Sequence, residues 1–409
     1  MKKILALLLA LCMVFALAAC GEPAADPTDA PDDGGAVTDA PDDGGSTGDK
    51  VVKIGVFEPQ SGDNGAGGKQ EILGMQYANS LTPTVEVGGE TYTVQLVYAD
   101  NQSSNDKAVS AAQTLIAEGC SVVLGSYGSG VSIAAATTFS DAGMPAIGVT
   151  CTNPQVTQVS DTYYRICFID PFQGTVLANY AKELGATKAY CLAKQGDDYS
   201  VGLVNYFVEA FGADNCVQEV FQEGTSDYSS YVTNAKSNGC DIFVAPVSTE
   251  AAALIIDQAA TQDLGMPILA GDTWDSNVIV GAAQGKENVK IYVTTFYQEG
   301  GNAEFDAAFK EWINSDSVNL ENNGGNDMVA AVSVMGYDAY YVALEAIKAA
   351  GSTDPAAVLA ALPSVNYAGV TGNIAFADGA KDATRDVAYI KYCNTETAVW
   401  DLIGEQGIE

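Results

Sequence analysis

The chain has 409 residues, of which 47% are hydrophobic and 9% aromatic, a globular composition with room for more than one domain. Its 18 basic residues stand against 52 acidic ones, and the formal net charge of −34 disfavours nucleic acid or an anionic lipid surface as an electrostatic partner. The sequence contains no histidine. This excludes Ser-His-Asp and Cys-His nucleophiles, histidine-ligated metals and an imidazole proton shuttle, and with them most common hydrolase chemistry.

The first residues, 1–20, are typical of an export signal. Lys2 and Lys3 precede an apolar run that ends before Cys20 and is shorter than the roughly 20 residues that a membrane span needs. The stretch LAACG (17–21) resembles a bacterial lipobox, which implies cleavage before Cys20 and diacylation of its sulfur. A plain secretory signal that ends by chance at a cysteine is the alternative. We expect a lipid anchor at Cys20 on the extracellular face of the cell membrane, and no membrane span.

The next segment, residues 21–50, has the composition of a linker. The block TDAPDDGG occurs at 28–35 and again at 38–45, and large apolar side chains are almost absent. Such a segment cannot bury enough surface to offset its ordering entropy, so we predict a disordered, acidic spacer. A calcium-binding repeat is the alternative, but the acids lack the spacing of an EF-hand loop. The remaining body is also strongly acidic.

From Val51 onward, short apolar runs alternate with amphipathic stretches. This alternation predicts a parallel sheet covered by helices on both faces, and it occurs twice along the chain. The first set of predicted strands lies at 51–57, 92–99, 120–125 and 144–149. The second set lies at 187–193, 215–222, 240–247, 266–271 and 289–296. Taken alone, this pattern predicts two doubly wound halves joined in series, followed by three helical stretches and a hairpin within 367–403.

The body offers no sequence signal for a cofactor. Its cysteines form no CxxC pair and lie mostly beside apolar runs, where cysteine is commonly a small buried hydrophobe. The glycine-rich stretches 61–71 and 125–130 match neither a P-loop nor a GxGxxG pattern. We therefore expect no metal, no nucleotide and no other cofactor.

Several stretches, in this order along the chain, carry a resemblance. They are VVKIGVFEPQSGDNGAGG (51–68), a segment from VVLGSYGSG to TNP (122–154), YYRICFIDPFQG (163–174), GDTWDS (271–276) and VMGYDAYYVALEAI (334–347). Together they resemble the leucine/isoleucine/valine-binding proteins, the type I solute-binding proteins of ABC amino-acid importers. The third stretch follows the Phe/Tyr-Arg…Asp-x-x-Gln-Gly pattern of that family.

The resemblance implies the type I periplasmic-binding-protein fold. This is an α/β fold with two doubly wound, Rossmann-like lobes joined by a three-crossover hinge. Each lobe would be built from non-adjacent segments, unlike two halves in series. Lobe 1 would comprise 51–170 and 298–365, and lobe 2 would comprise 171–297 and 366–409.

The function that the resemblance implies is binding without catalysis. The protein would capture an amino acid, branched-chain or related, between two closing lobes and present it to an ABC permease and its ATPase. A receptor that reports its ligand to a membrane kinase is an alternative. An enzyme on the same scaffold is another, since fold does not decide function, but only carboxylate or thiol chemistry is left and no paired motif supports it.

A bound amino acid requires donors for its carboxylate and an acid for its ammonium group. The loop 126–130 leaves a strand and opens a helix, where glycines permit close approach and helix-start N–H groups can receive an anion. By position in the family motif, Ser129 would donate its hydroxyl to the ligand carboxylate, with Thr150 and Thr152 adding contacts after the next strand. Asp272 falls where the family places its ammonium-binding acid, and Tyr199 matches an aromatic contact from lobe 2. Further candidates are Tyr127, Gly128, Ser248 and Trp274.

Two positions depart from the leucine-type pattern. Gly67 stands where those proteins usually carry a bulky aromatic residue, and Ser248 stands where an aromatic is common. The first departure predicts an open side-chain end of the pocket and a ligand that is not restricted to small aliphatic side chains.

Overall fold

The computed structural model describes residues 50–407. The predicted signal with Cys20 and almost all of the predicted spacer lie outside the described residues. Within the described part, the chain forms two mostly parallel sheets flanked by helices. No helix between residues 50 and 407 is long and apolar enough to cross a bilayer.

The first sheet contains the N-terminal half of the fold. Its strands are β1 (Val51–Glu58), β2 (Thr84–Val87), β3 (Glu90–Asp100), β4 (Val122–Leu124), β5 (Ala146–Gly148) and β6 (Tyr163–Arg165). Their order is β2-β3-β1-β4-β5-β6, parallel except between β2 and β3. Every residue of β1 from Ile54 onward is buried, as a strand with helices on both sides requires. The four-residue strand β2 escaped the sequence prediction because it is short and half exposed.

The second sheet combines the middle of the chain with its C-terminal end. Its middle strands are β7 (Ala189–Lys194), β8 (Cys216–Phe221), β9 (Ile242–Val244), β10 (Ile268–Ala270) and β11 (Ile291–Thr295). Its C-terminal strands are β14 (Ala388–Asn394) and β15 (Val399–Gln406). Between these two groups along the chain, β12 (Asn366–Gly369) and β13 (Gly372–Ala375) form a separate hairpin. The order is β15-β14-β11-β10-β9-β7-β8. The predicted C-terminal hairpin is confirmed, since β14 pairs antiparallel with β15.

Helices connect the strands of both sheets. Those of the first sheet are α1 (Gly65–Leu81), α2 (Asn105–Ala117), α3 (Ser129–Asp141) and α4 (Gln155–Gln158). Those of the second are α5 (Asp170–Glu183), α6 (Asp198–Phe211), α7 (Ser229–Ser237), α8 (Thr249–Thr261) and α9 (Asn277–Ala283). After β11 follow α10 (Ala303–Asn314), α11 (Ser317–Asn322), α12 (Ala331–Ala350) and α13 (Pro355–Ala361).

The packing of α12 on α1 returns the chain to the first sheet. A Cβ atom at Gly74 would lie 1.8 Å from the carbonyl oxygen of Ser333, and one at Gly336 would lie 2.2 Å from that of Glu71. Only glycine at these positions lets the two helix backbones approach so closely. Because β14 and β15 then rejoin the second sheet, the two lobes interleave along the chain. The type I fold is therefore confirmed, and the prediction of two halves joined in series is wrong. The residue boundaries of the lobes stay a prediction.

The cysteines of the described residues support the predicted packing role. All of those between residues 50 and 407 are unpaired, and all except the half-buried Cys216 are buried.

Candidate functional site

The candidate site lies where the two lobes face each other. Loops at the carboxyl ends of β1, β4 and β5 approach from the first lobe, and loops after β7, β9 and β10 approach from the second. In open parallel sheets this edge is the usual place for a ligand, because strand ends and helix N-termini converge there.

The helix α3 begins at this edge with Ser129. No side chain caps its N-terminus, and Gly128 at the N-cap position has extended backbone angles. Ser129 is buried, and its hydroxyl oxygen accepts a hydrogen bond of 3.2 Å from the backbone N–H of Asn153. The structure thus joins Ser129 to the loop that carries Thr152, and the N-terminus of α3 can receive an anion.

Arg165 fixes the backbone of the loop that carries Thr150 and Thr152. The Arg165 guanidinium donates to the carbonyl oxygens of Cys151 at 2.9 Å and Asn153 at 2.6 Å. Both threonines are buried. Thr150 donates its hydroxyl to a glutamate of α1, and the Thr152 hydroxyl faces the buried carboxyl group of Asp170. Both threonine hydroxyls of this loop are therefore close to buried carboxyl groups.

Asp272 lies in a short 3₁₀ turn after β10 and is almost fully buried. Its Oδ1 accepts hydrogen bonds from the Gln173 amide at 2.9 Å and from the Tyr199 hydroxyl at 3.0 Å. Burial raises the pKa of Asp272 to about 6, although these two hydrogen bonds favour the charged form. The structure thus brings the predicted Asp272 and Tyr199 into direct contact on the second lobe.

Tyr127 fills the end of the pocket that the sequence predicts to be open. A Cβ atom at Gly67 would lie 2.3 Å from Cε2 and Cζ of the Tyr127 ring, so the aromatic group comes from the neighbouring loop. The Tyr127 hydroxyl also donates to the carbonyl oxygen of Thr273 across the cleft, at 3.1 Å. The expectation of an open side-chain end is wrong for this reason.

A small cavity of about 60 Å³ remains between the lobes. Its walls include Tyr127, Gly128, Ser129, Tyr199 and Ser248. Five of the predicted residues therefore line one cavity, whose other walls are largely polar or charged.

Two of the further candidates have structural roles in the second lobe. Ser248 is the N-cap of α8 and accepts from the N–H of Ala251 at 3.4 Å, while it also borders the cavity. Trp274 is fully buried in the hydrophobic core of the second lobe, and its indole N–H donates to the carbonyl oxygen of Val247 at 3.1 Å. The structure therefore places Trp274 in the core, because its polar group is already satisfied by the backbone.

Direct contacts across the cleft show that the lobes are closed. Lys194 at the end of β7 forms an ion pair of 2.6 Å with Asp63 after β1. Asn153 donates its side-chain amide to the carbonyl oxygen of Asp198 at 2.7 Å. These contacts join the two lobes directly beside the cavity.

The Asp-x-x-Gln-Gly motif after β6 supports the site although no role was predicted for its residues. Gln173 orients Asp272 and also donates to Thr294 Oγ1 at 2.7 Å. A Cβ atom at Gly174 would lie 2.6 Å from Tyr206 Cβ, so glycine there lets α5 pack closely on α6. Asp170 is fully buried, and its carboxyl group faces the hydroxyl of Thr152. The Asp-x-x-Gln-Gly motif was recognisable in the sequence, but the contacts that give its residues a role are visible only in the tertiary structure.

A match to known proteins decides the family. A sequence profile described as "Periplasmic binding protein" matches residues 51–395. The chain belongs to the periplasmic binding protein family. This confirms the predicted resemblance and agrees with the interleaved two-lobe fold.

Individual members of the family are similar over most of the chain. A protein of Brucella abortus named Leu/Ile/Val-binding protein homolog 1 is 26% identical over 320 residues, which cover 76% of this chain and 82% of that protein. The crystal structure of a leucine binding protein from Thermotoga maritima is 31% identical, with a TM-score of 0.76, and covers 87% of this chain and 99% of its own. These relatives carry the names of binding proteins, not of enzymes.

A more distant family structure shows the fold alone. A solute binding protein of an ABC transporter from Rhodopseudomonas palustris, in complex with benzoate, is 18% identical with a TM-score of 0.73, covering 87% of this chain and 96% of its own. Benzoate has a carboxylate but no amine. The fold by itself therefore leaves the ligand class open, and the side chains of the site must decide it.

Proposed function

We propose that this protein is the solute-binding component of an ABC importer and that it captures an amino acid, branched-chain or related, between its two lobes. It would be tethered to the extracellular face of the cell membrane by a lipid on Cys20 and would deliver the solute to a permease with its ATPase. It has no catalytic role in this proposal and needs no cofactor. The names of the similar proteins from Brucella abortus and Thermotoga maritima support this ligand class.

The observation that carries the proposal is the complementary chemistry of the two sides of the cleft, with donors for a carboxylate on the first lobe and an acid for an ammonium group on the second. The first lobe offers the uncapped N-terminus of α3 with Ser129, together with the buried residues Thr150 and Thr152. The second lobe offers the buried carboxylate of Asp272, oriented by Tyr199. A zwitterion placed between them would have its carboxylate on the first lobe and its ammonium near the second.

Binding would shift the hinge equilibrium towards the closed state. The two sets of contacts exist together only when the lobes meet, so a solute that uses both sets binds the closed form more tightly than the open one. The closed form is then the state that a permease can distinguish from the empty protein.

A thermal-shift panel on the full-length chain in detergent tests the proposal. Each amino acid is paired with its 2-keto acid, for example leucine with 4-methyl-2-oxopentanoate, so that only the amino group differs. A ligand at about 100 times its dissociation constant stabilises the fold by about 2.7 kcal/mol. We expect at least one amino acid to raise the melting temperature more than its keto acid does. Stabilisation by keto acids or benzoate alone would contradict the proposal.

A further inference from the structure

The cavity between the lobes has polar walls beyond the residues expected to anchor an amino acid. Apart from the tyrosine rings, the apolar side chains that line it are those of Pro59 and Val131. The polar wall residues are Asp63 and Asn64 after β1, Ser103 and Asn105 after β3, and Lys194 and Asp197 at and after the end of β7. Because the anchors take the carboxylate and the ammonium group of the solute, its side chain must extend towards these walls.

Asn64 presents an unsatisfied amide at this cavity. It occupies the N-cap position of α1, but its side chain makes no capping hydrogen bond. Its Oδ1 is buried and has no hydrogen-bond donor among residues 50–407. Its backbone N–H donates to Ser103 Oγ at 3.0 Å, which fixes the residue at the cavity wall. A buried polar atom without a partner is costly, which indicates that a donor of the solute meets it.

The charged groups on the same walls already have partners. Lys194 forms ion pairs with Asp63 at 2.6 Å and with Glu223 at 2.5 Å. Asp197 caps α6, and its carboxylate accepts a hydrogen bond of 2.9 Å from the N–H of Ser200. A charged side chain on the solute would therefore be buried without a free opposite charge, which is costly. A neutral polar side chain does not carry this cost.

The space next to the cavity offers no apolar surface either. A second cavity of about 420 Å³ shares Asp63, Asn105 and Lys194 with the first. None of the described residues that line it has an apolar side chain. A leucine side chain would therefore contact mainly polar groups, and the cost of removing these groups from water offsets the gain from burying its apolar area.

We propose that the solute is an α-amino acid with a short, neutral, hydrogen-bonding side chain, of the threonine or asparagine type, and that Asn64 selects it. The inference rests on the proposed function and narrows its ligand class to amino acids outside the branched-chain set. Asn64 Oδ1 accepts a hydrogen bond from the side-chain O–H or amide N–H of the solute. A site built for such a bond rejects an apolar solute of the same shape, because its own polar group is then left buried and unpaired.

A purely structural role of Asn64 is the competing explanation. In that case solvent meets its amide, the side chain of the solute packs on the Tyr127 ring, and an aliphatic amino acid binds best. The two explanations differ in how they rank solutes of equal size.

Titration calorimetry on the full-length chain in detergent measures this ranking. Leucine, asparagine and aspartate have nearly the same size and shape, and so do valine and threonine. We expect asparagine to bind about tenfold or more tightly than leucine and aspartate, and threonine to exceed valine by a similar factor. Asn64→Leu removes the amide at nearly constant volume, so both apolar solutes should gain on their polar partners by about tenfold. Asn205→Leu, the same change at an exposed position on α6, should leave the ratios unchanged.

Leucine and valine binding as tightly as their polar partners would overturn the selection of a polar side chain. A preference for aspartate over asparagine would overturn its neutrality, and unchanged ratios in Asn64→Leu would overturn the role of Asn64. The ranking on the parent chain stands even if Asn64→Leu does not fold, and Asn64→Ala repeats the test with a smaller side chain. Absence of binding by every α-amino acid is a different result, because it contradicts the proposed function itself. Tight binding of an aliphatic amino acid contradicts only the selection.

Discussion

The aromatic ring of Tyr127 lies in the space that any side chain at Gly67 would need, since a Cβ atom there would be 2.3 Å from two ring carbons. Tyr127 belongs to the loop after β4, and Gly67 lies in the first turn of α1. Two segments that are distant in sequence thus decide together the shape of one end of the pocket. A bulky residue is present there, although it comes from the neighbouring loop.

This relationship predicts the effect of Gly67→Ala. Alanine is the better helix former by about 1 kcal/mol, but the added methyl group must displace the Tyr127 ring, and overpacking typically costs about 1–3 kcal/mol. We expect a lower free energy of unfolding in urea. In a Tyr127→Ala background, the same substitution should be neutral or stabilising. An equal loss in both backgrounds would show that the ring is not the obstacle.

The first-lobe hydroxyls predict a second result. Ser129→Ala and Thr152→Ala should each weaken amino-acid binding by about 1–3 kcal/mol, the range for a hydrogen bond to a charged group with its partner left unsatisfied. Titration calorimetry measures the change, and Ser110→Ala on the exposed face of α2 is the matched control. Parental affinity in both variants would mean that the ligand carboxylate binds elsewhere.

Asp272→Asn separates charge from shape. Asparagine keeps the size of the side chain and much of its hydrogen bonding while it removes the negative charge. Losing one partner of a buried charge pair costs about 2–5 kcal/mol, so we expect a large loss of affinity for α-amino acids and little change for their keto acids. The melting temperature of the ligand-free protein should change little.

The pH profile adds a check on Asp272. Because its pKa is raised to about 6, the parent should lose affinity as the pH falls through 6, and this part of the dependence should vanish in the variant. Asp257→Asn, on the exposed side of α8, controls for net charge. If Asp272→Asn binds its amino acid as the parent does, Asp272 has only a structural role.

Asp170 predicts how stability depends on pH. Burial raises its pKa from 3.8 to about 8, so between these values the folded chain binds more protons than the unfolded one. The free energy of unfolding should therefore fall as the pH rises through this range, by up to about 1.4 kcal/mol per pH unit for one such group. Asp170→Asn should gain stability relative to the parent at pH 8 and not at pH 4.

Urea unfolding followed by tryptophan fluorescence between pH 4 and 8 measures this slope. Glu209→Gln, the same kind of change at an exposed position on α6, should keep the slope of the parent. A parent whose stability rises with pH over this interval would contradict the assignment, because the buried carboxyl would then favour its charged form in the fold.

Parts of the site were predictable because strand ends carry local signals. A buried strand followed by glycine and small polar residues marks Ser129 after β4, and the end of β10 marks Asp272 in the same way. Arg165 and Gln173 were visible as motif letters, but their hydrogen bonds to the threonine loop and to Asp272 join elements that are far apart in sequence. No local pattern predicts such partners.

The sequence by itself determined the alternation of strands and helices, the terminal hairpin and the family, because apolar periodicity and ordered motifs are properties of neighbouring residues. Only the tertiary structure decided that α12 returns to α1, that β14 and β15 join the second sheet, and that Gln173 and Tyr199 meet at Asp272. These outcomes depend on which surfaces pack together over long separations. The burial that raises the pKa of Asp272 and Asp170 exists only after that packing.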